Sequence, residues 1–308
     1  MILTKIFYDC DNFMKEFEEE YNKKFIEDEN SKSKYNSRLT MSEIMTILIY
    51  FHNSGYRTFK DYYIKYVYKN LKSAFPNIVK YTRFVELIPS VFIPLIVFAK
   101  TREIKSDNIS FIDSTKIAVC KNKRIKQNRV FKDIAEVGKS TMGWFFGFKL
   151  HLIINEKGEV VSFTITQGNV DDRNMDVMNI LTQNVSGKLF GDKGYISAKL
   201  FEYLKDKGVH LVTSIKKNMK NKLMPMLDKI LLRKRSLIET VNDELKNMCD
   251  IEHSRHRSPV NFFINLISGI VRYTYFDKKP SLKFSEKDRE LLNGAIINTY
   301  ENKLMVLV

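Results

Sequence analysis

The stretch from Phe146 to Ile154 alternates apolar residues with residues of other kinds, the pattern of a β-strand with two unlike faces. Residues 155–159 (NEKGE) form a typical hairpin turn, and 160–167 returns as a second alternating strand. A sheet that is apolar on one face needs a second layer to cover it. This hairpin therefore predicts a sheet with helices packed against it.

Further short apolar runs predict the rest of that sheet. Strand-like segments lie at 108–115, 188–192 and 209–215, and helical segments at 171–181, after Ser197 and at about 225–248. The order strand, hairpin, helix, strand, helix, strand, helix indicates an α/β fold with a mixed sheet. We expect a helical N-terminal domain over 1–104, an α/β domain over 105–280 and a tail over 281–308.

The first hundred residues carry helical signals. Thr40 and Glu43 form a capping box, which predicts that a helix begins there. Short helices of this kind fit a helix-turn-helix DNA reader and a plain packing unit equally well. The apolar run from Ile88 to Ala99 is too short to span a bilayer and predicts a buried helix. The N-terminus has no signal-peptide pattern, and we expect no membrane partner.

The charge balance favours a polyanionic partner. The chain has 51 Lys and Arg against 36 Asp and Glu, a net charge of +15. Residues 101–150 carry 11 basic and 5 acidic side chains, and 211–262 carry 11 and 6, including a basic run at 216–222. Nucleic acid is favoured over a merely solubilising surface. Three widely separated cysteines predict no disulfide framework, so a cytoplasmic location is expected.

Two aspartates stand where strands are expected to end. Asp113 lies within the strand-like run NISFIDST, and Asp192 follows the short strand KLF between two glycines. Aspartate is disfavoured within strands, and the ends of sheet strands are where α/β proteins bind ligands. The alternative is that each side chain only caps a turn.

A third acid, Glu239, lies on the expected helix over 225–248. Spacings of three and four residues place on one helix face the side chains of Leu232, Arg235, Glu239, Asn242 and Lys246. The neighbouring apolar stripe packs on the sheet and brings Glu239 toward the strand ends. An ordinary amphipathic helix with an Arg–Glu pair is the alternative. Three carboxylates suit two divalent cations, such as Mg²⁺ or Mn²⁺.

These residues resemble a known family. The segments FIDST, GWFFGFKLHLIIN, TQGNVDDR, GDKGYI and RSLIETVNDELK, over about residues 106–280, are similar to bacterial insertion-sequence transposases of the Asp-Asp-Glu class. Arg235, Glu239 and Lys246 match the spacing of an Arg-x3-Glu-x6-Lys signature, and Leu232 stands at its Tyr position.

The resemblance implies a ribonuclease-H-like fold and an enzyme that uses two Mg²⁺ or Mn²⁺ ions to cut and join DNA. It places Asp113 on the first strand, Asp192 after the fourth and Glu239 on the last helix, as catalytic residues and metal ligands. Water would cleave at the element end, and the freed 3′-hydroxyl would attack target DNA by transesterification.

The implied partners are terminal-repeat and target DNA, with a homodimer assembled on the two ends. Candidate DNA-contacting residues are Arg235, Lys246, Lys149, His151 and Lys116. A nuclease of the same fold that does not join, and a catalytically inactive DNA-binding protein, stay open as alternatives. Trp144 precedes a strand, which favours burial in the core over base stacking.

Overall fold

The structure is a computed structural model that describes residues 2–25, 38–141, 143–214, 224–252, 256–288 and 290. The predicted basic run at 216–222 and most of the predicted tail over 281–308 lie outside these residues.

The described chain divides into two compact units, each discontinuous in sequence. One, here the helical unit, comprises residues 1–103, 117–135 and 243–277. The other, here the sheet unit, comprises 104–116, 136–242 and 278–308. This division by compactness differs from the sequential one at 104/105 and 280/281, because residues 117–135 and 243–277 associate with the N-terminal helices.

Both units contain α-helices. The helices in chain order are α1 (Ile2–Phe25), α2 (Met41–Phe51), α3 (Phe59–Tyr62), α4 (Tyr68–Asn70), α5 (Tyr81–Leu87), α6 (Phe92–Thr101), α7 (Met175–Leu181), α8 (Ala198–Asp206), α9 (Met226–Lys234), α10 (Ser236–Asn247) and α11 (Pro259–Thr274). A π-helical turn, Tyr63–Val67, joins α3 to α4. The predicted capping box is present, since Thr40 and Glu43 exchange side-chain and backbone hydrogen bonds at the start of α2.

The segment from Tyr81 to Thr101 forms one helical stretch through a 3₁₀ turn at Ile88–Val91. This helix of 21 residues contains an 18-residue window with a mean hydropathy of 1.8, so by length and composition alone it could cross a membrane. The core helix of a globular protein passes the same test, and here Phe84, Val91 and Leu95 are fully buried. The helix is longer than the apolar run from which it was predicted.

A six-stranded sheet organises the sheet unit. Its strands are β1 (Ile109–Cys120), β2 (Glu136–Ser140), β3 (Gly143–Asn155), β4 (Val160–Gln167), β5 (Gly187–Gly191) and β6 (Val209–Thr213). The strand order is β2-β3-β1-β5-β6, and β4 pairs with β3 beyond the stretch that pairs with β2. Strand β5 runs parallel to β1 and to β6, whereas β2 and β4 run antiparallel to β3.

Helices α7 and α8 cover one face of this sheet. Apolar side chains from strands and helices form a shared core that includes Ile112, Ile153, Met178, Leu189 and Leu204. The predicted α/β fold class is thus confirmed: a mixed sheet with flanking helices, preceded by a helical N-terminal region. The sequence did not predict β2, which is short and half exposed.

Two local predictions were wrong. The single helix expected over 225–248 is divided at Arg235 into α9 and α10, although Arg235 itself keeps helical backbone angles (φ −56°, ψ −23°). Trp144 was expected in the core, but it is 62% exposed at the start of β3, where it opposes Lys139 of β2. A strand next to a hairpin end has one face without a covering layer, so an aromatic residue there stays at the surface.

Candidate active site

Asp113 and Asp192 lie level with each other on neighbouring strands of the sheet unit. Phe111 of β1 pairs with Phe190 of β5 in parallel register, and each aspartate lies two residues further along its own strand direction. Adjacent strands are about 4.8 Å apart, so the two backbones present their carboxylates side by side. Asp192 therefore directly follows the end of β5, whereas Asp113 lies within β1, which continues to Cys120.

Glycines allow the chain to turn tightly after β5. A Cβ atom on Gly191 would lie 3.2 Å from the Ile112 side chain, and one on Gly194 would lie 2.8 Å from Asp192 Oδ1. The Gly194 N–H instead donates a hydrogen bond of 2.7 Å to that oxygen. The bond holds the Asp192 carboxylate at the end of the strand.

Arg235, which directly precedes helix α10, links the third acid to Asp113. The guanidinium of Arg235 lies 2.6 Å from Glu239 Oε1 and 3.9 Å from Asp113 Oδ1. One turn along the helix, Asn242 Nδ2 donates to Asp113 Oδ2 at 3.1 Å. Helix α10 is therefore tied to β1 at Asp113 from two positions.

The Asp113 carboxyl has an unusual electrostatic environment. Its pKa is raised to about 7, chiefly by burial and also by the negative charges of Asp192 and Glu239, against the opposing effects of the Arg235 charge and the Ser114 backbone N–H. Two other acids thus act on one desolvated carboxyl. The charge of Arg235 does not balance all three.

Tyr195 is a site residue that the sequence reasoning did not single out, although it lies in the segment GDKGYI. Its side chain is buried, and its hydroxyl has no hydrogen-bond partner among the described residues. Burial and the nearby charges of Asp172, Asp113 and Asp192 raise its pKa well above the ordinary value. Tyr195 thus forms part of the floor beneath the acids.

Lys149 and His151 belong to a separate polar cluster. Lys149 Nζ donates to the Val170 carbonyl at 2.8 Å and to Asp172 Oδ1 at 3.0 Å. His151 is fully buried, with Nε2 2.8 Å from Thr166 Oγ1, and burial lowers its pKa to about 4. These contacts favour a structural role for both residues, and their predicted DNA contact stays a prediction.

The two remaining candidates differ in their surroundings. Lys116 is partly exposed on β1, three residues beyond Asp113. Lys246, in the helical unit, is 16% exposed and lies 3.1 Å from Glu252 Oε2. The predicted DNA contacts of both residues stay predictions.

The donor chemistry of the site suits a divalent cation. Carboxylate oxygens are the ligands that Mg²⁺ and Mn²⁺ prefer, and the pKa of the buried Asp113 carboxyl is raised by burial first and also by the charges of Asp192 and Glu239. Within the described residues, no three His, Cys, Asp or Glu side chains stand close enough to hold one metal ion. Arg235 holds the Glu239 carboxylate, whose side chain is 54% exposed and so has room to turn toward the two aspartates.

The sheet and the three acids agree with the Asp-Asp-Glu class of proteins that the sequence resembles. Residues 103–259, slightly more than half of the chain, match the family model described as transposase DDE domain. The chain belongs to this transposase DDE domain family. The bacterial origin and the Arg-x3-Glu-x6-Lys signature stay predictions.

No curated protein matches the sequence. One similar solved structure is the cryo-EM structure of the simian T-cell lymphotropic virus intasome in complex with PP2A regulatory subunit B56 gamma, with 11% sequence identity and a TM-score of 0.26. The match covers 62% of this chain and 66% of that chain, so it spans just under two thirds of the neighbour's length.

Proposed function

We propose that this protein is a metal-dependent DNA transposase that cleaves phosphodiester bonds at the ends of an insertion element and joins the freed ends to target DNA. The observation that carries the proposal is the level placement of Asp113 and Asp192 on parallel strands, with Glu239 linked to them through Arg235. Membership of the transposase DDE domain family supports it.

In this proposal Asp113, Asp192 and Glu239 hold two Mg²⁺ or Mn²⁺ ions. Such a pair of ions activates an attacking oxygen and stabilises a leaving oxygen in phosphoryl transfer. The side chains of this chain supply the positioning. Gly194 fixes the Asp192 carboxylate, Asn242 fixes that of Asp113, and Tyr195 excludes water beneath them.

Arg235 has a second role in this proposal. Its guanidinium neutralises Asp113 and Glu239 in the free protein and is well placed to pair with a DNA phosphate when cations take over that task. Lys116 is the next candidate for phosphate contact because it is partly exposed on the same strand as Asp113. Lys246, Lys149 and His151 contact DNA only if their present partners are released.

The reaction joins two element ends, which favours a homodimer assembled on DNA. Action on chromosomal DNA agrees with a cytoplasmic, nucleoid-associated location. Both statements are parts of the proposal and depend on the reaction being a transposition.

The test is incubation of the full chain with labelled DNA that carries the sequences flanking its gene, with Mg²⁺, Mn²⁺ or chelator. We expect metal-dependent 3′-end cleavage, followed by joined products when target plasmid is added. Asp113→Asn, Asp192→Asn and Glu239→Gln should each abolish both steps. Asp206→Asn and Glu202→Gln, which alter exposed acids of α8, are the matched controls.

The outcomes separate the alternatives. Cleavage without joined products would indicate a nuclease of the same fold. Tight, salt-sensitive DNA binding without cleavage in either metal would indicate a DNA-binding protein without activity. Cleavage that survives Asp113→Asn would overturn the proposed site.

A further inference from the structure

The helical unit contains a groove that the proposed reaction does not use. It has a volume of about 1220 Å³ and lies among residues of α2, the helix that begins at Phe59, α5 and α11. Its floor is apolar and comprises Leu48, Phe51, Val85, Ile88 and Ile264. All its lining residues belong to the helical unit.

The rim of this groove is strongly basic. It carries four exposed cationic side chains, Arg57, Lys60, Lys121 and Arg257, and one acidic residue, Asp250. Within the described part of the chain, none of the four cations forms an ion pair. The acid nearest in sequence, Asp61, already binds Lys65 at 2.7 Å. The rim therefore offers uncompensated positive charge to an anionic partner.

Two half-buried aromatic side chains, Phe59 and Tyr81, lie between the rim and the floor. Phe59 stacks against Phe84 with ring centroids 5.7 Å apart, and Tyr81 lies 5.9 Å from Tyr63. These neighbours hold both rings in place. Rigid aromatic rings beside a basic rim are the features on which unpaired bases stack.

Asn261, near the start of α11, contributes a hydrogen-bond acceptor to the lining of the groove. A ligand that donates a hydrogen bond would match it. The Ser258 hydroxyl caps this 16-residue helix by accepting from the Asn261 N–H. The side-chain oxygen of Asn261 is buried in the groove lining, without a hydrogen-bond partner among the residues described. A phosphate diester has no proton to donate to that oxygen, whereas every nucleobase carries N–H groups.

We propose that this groove binds a single-stranded DNA segment, with its phosphates on the basic rim and its bases on the apolar floor and aromatic rings. Duplex DNA keeps its bases stacked inside the helix, so it would use the rim and leave the floor and Asn261 unmatched. An acidic peptide would match the rim and offers no flat rings to Phe59 and Tyr81. The inference rests on the proposed function, in which strand cleavage produces unpaired DNA near the protein.

The experiment measures binding separately from cleavage. Full-length protein carrying Glu239→Gln is titrated in chelator into fluorescent oligodeoxythymidylate, a matched duplex, and an abasic strand with the same number of phosphates. We expect the single strand to bind about tenfold more tightly than the abasic strand, because base stacking is lost in the latter. Binding that is equal for the two strands would overturn the proposal.

A charge-matched pair of variants tests the rim. Arg57→Ala with Lys60→Ala should weaken single-strand binding about tenfold and reduce the salt slope of log K by about 1.4, the value for two lost phosphate contacts. Lys69→Ala with Lys72→Ala removes two exposed charges from α4 and its flank, outside the groove, and should change binding less than threefold. Equal losses in the two double variants would contradict a specific groove.

A variant that keeps the charge of the groove tests the aromatic rings. Tyr81→Leu should weaken binding of the thymidylate strand and leave binding of the abasic strand unchanged. Thermal unfolding of each variant shows that it is folded. The proposal would be overturned if polyglutamate displaced the strand at a lower concentration than unlabelled thymidylate does. Tighter binding of the duplex than of the single strand would also overturn it. None of these readouts requires cleavage, so failure of the groove proposal is distinguishable from failure of the catalytic proposal.

Discussion

Asn242 Nδ2 donates a hydrogen bond of 3.1 Å to Asp113 Oδ2, although 129 positions separate the two residues. The other amide atom, Asn242 Oδ1, is buried and has no partner within the residues that the structure describes. The amide thus fixes one carboxylate oxygen of Asp113 and leaves an oxygen of its own unmatched. The site maintains polar groups that are not fully compensated, which costs stability.

Replacing the desolvated acid should stabilise the metal-free protein. The pKa of Asp113 is raised to about 7, so its ionised form is disfavoured in the folded state at pH values above that. We expect Asp113→Asn to raise the free energy of unfolding at pH 8 by on the order of 1–3 kcal/mol. The gain should fall as pH drops from 7 toward the ordinary pKa of 3.8 and should be absent below it, where the carboxyl is protonated in both states.

Urea unfolding in chelator at pH 8 and pH 5 measures this gain, with Asp206→Asn as the control. A loss of stability at pH 8 would show that Arg235 and the hydrogen bonds to Asp113 fully offset the cost of burying its charge. That result would contradict the prediction. The same variant is expected to abolish DNA cleavage.

Removing the cation that neutralises the acids should strengthen metal binding. Arg235 lies 2.6 Å from Glu239 and 3.9 Å from Asp113, so it competes with a divalent ion for their charge. We expect Arg235→Gln to bind Mn²⁺ several-fold more tightly, as measured by electron paramagnetic resonance titration, and to cleave DNA at least tenfold more slowly.

Arg173 provides the control for this substitution. It forms a comparable pair with Asp171 at 2.7 Å, on the exposed surface of the same unit. Arg173→Gln should change neither Mn²⁺ affinity nor cleavage. Weaker Mn²⁺ binding by Arg235→Gln would show that Arg235 organises the acids rather than competing with the ion.

Acid should destabilise the protein through its buried histidines. Three histidines are buried, and burial lowers the pKa of each to about 4: His52, His151 and His256. The unfolded chain therefore takes up protons near pH 6.5 while the folded protein does not, so stability present above pH 6.5 is lost as pH falls toward 4. Each histidine contributes on the order of 2 kcal/mol to this loss.

The matched pair His52→Gln and His210→Gln tests the acid effect. His52 is 7% exposed and bonds the Cys249 carbonyl, whereas His210 is exposed. The free energy of unfolding is measured in urea at pH 7 and pH 5. His52→Gln should show a smaller difference between the two pH values than the parent, and His210→Gln should match the parent. An unchanged difference in both variants would mean that His52 titrates normally.

The single tryptophan of the chain is a direct reporter of the β2–β3 hairpin. Trp144 is 62% exposed, and Lys139 Nζ lies 5.5 Å from its ring centroid. We expect red-shifted fluorescence, strong quenching by iodide and little further shift on unfolding in urea. The control is the quenching of N-acetyltryptophanamide under the same conditions. Blue-shifted emission protected from iodide would show that Trp144 is buried.

Local patterns sufficed for several elements of the fold. The alternation from Phe146 to Ile154 and the turn after Asn155 predicted β3, β4 and their pairing, because a strand repeats every two residues. Thr40 and Glu43 predicted the start of α2, since the capping box is made within four residues. Patterns of this length report which element forms.

Local sequence patterns do not show which face of a strand or helix is buried against other segments. His151 was placed on a polar strand face, yet its ring is buried because Thr166 and Asp172 meet it from other segments. Trp144 was assigned to the core, yet no layer covers it. The division at Arg235 into α9 and α10 was likewise not predicted by the periodicity of this segment.

The sequence by itself determined that this chain has a mixed α/β sheet, a basic character and three acids at strand or helix positions suited to cations. Only the tertiary structure decided that Asp113 and Asp192 stand level, that Arg235 links Glu239 to Asp113, and that Asn242 completes the contact. The reason is physical: strand register and helix docking depend on contacts between segments 79 to 129 positions apart, as in the Phe111–Phe190 and Asp113–Asn242 pairs, and no local repeat encodes such contacts.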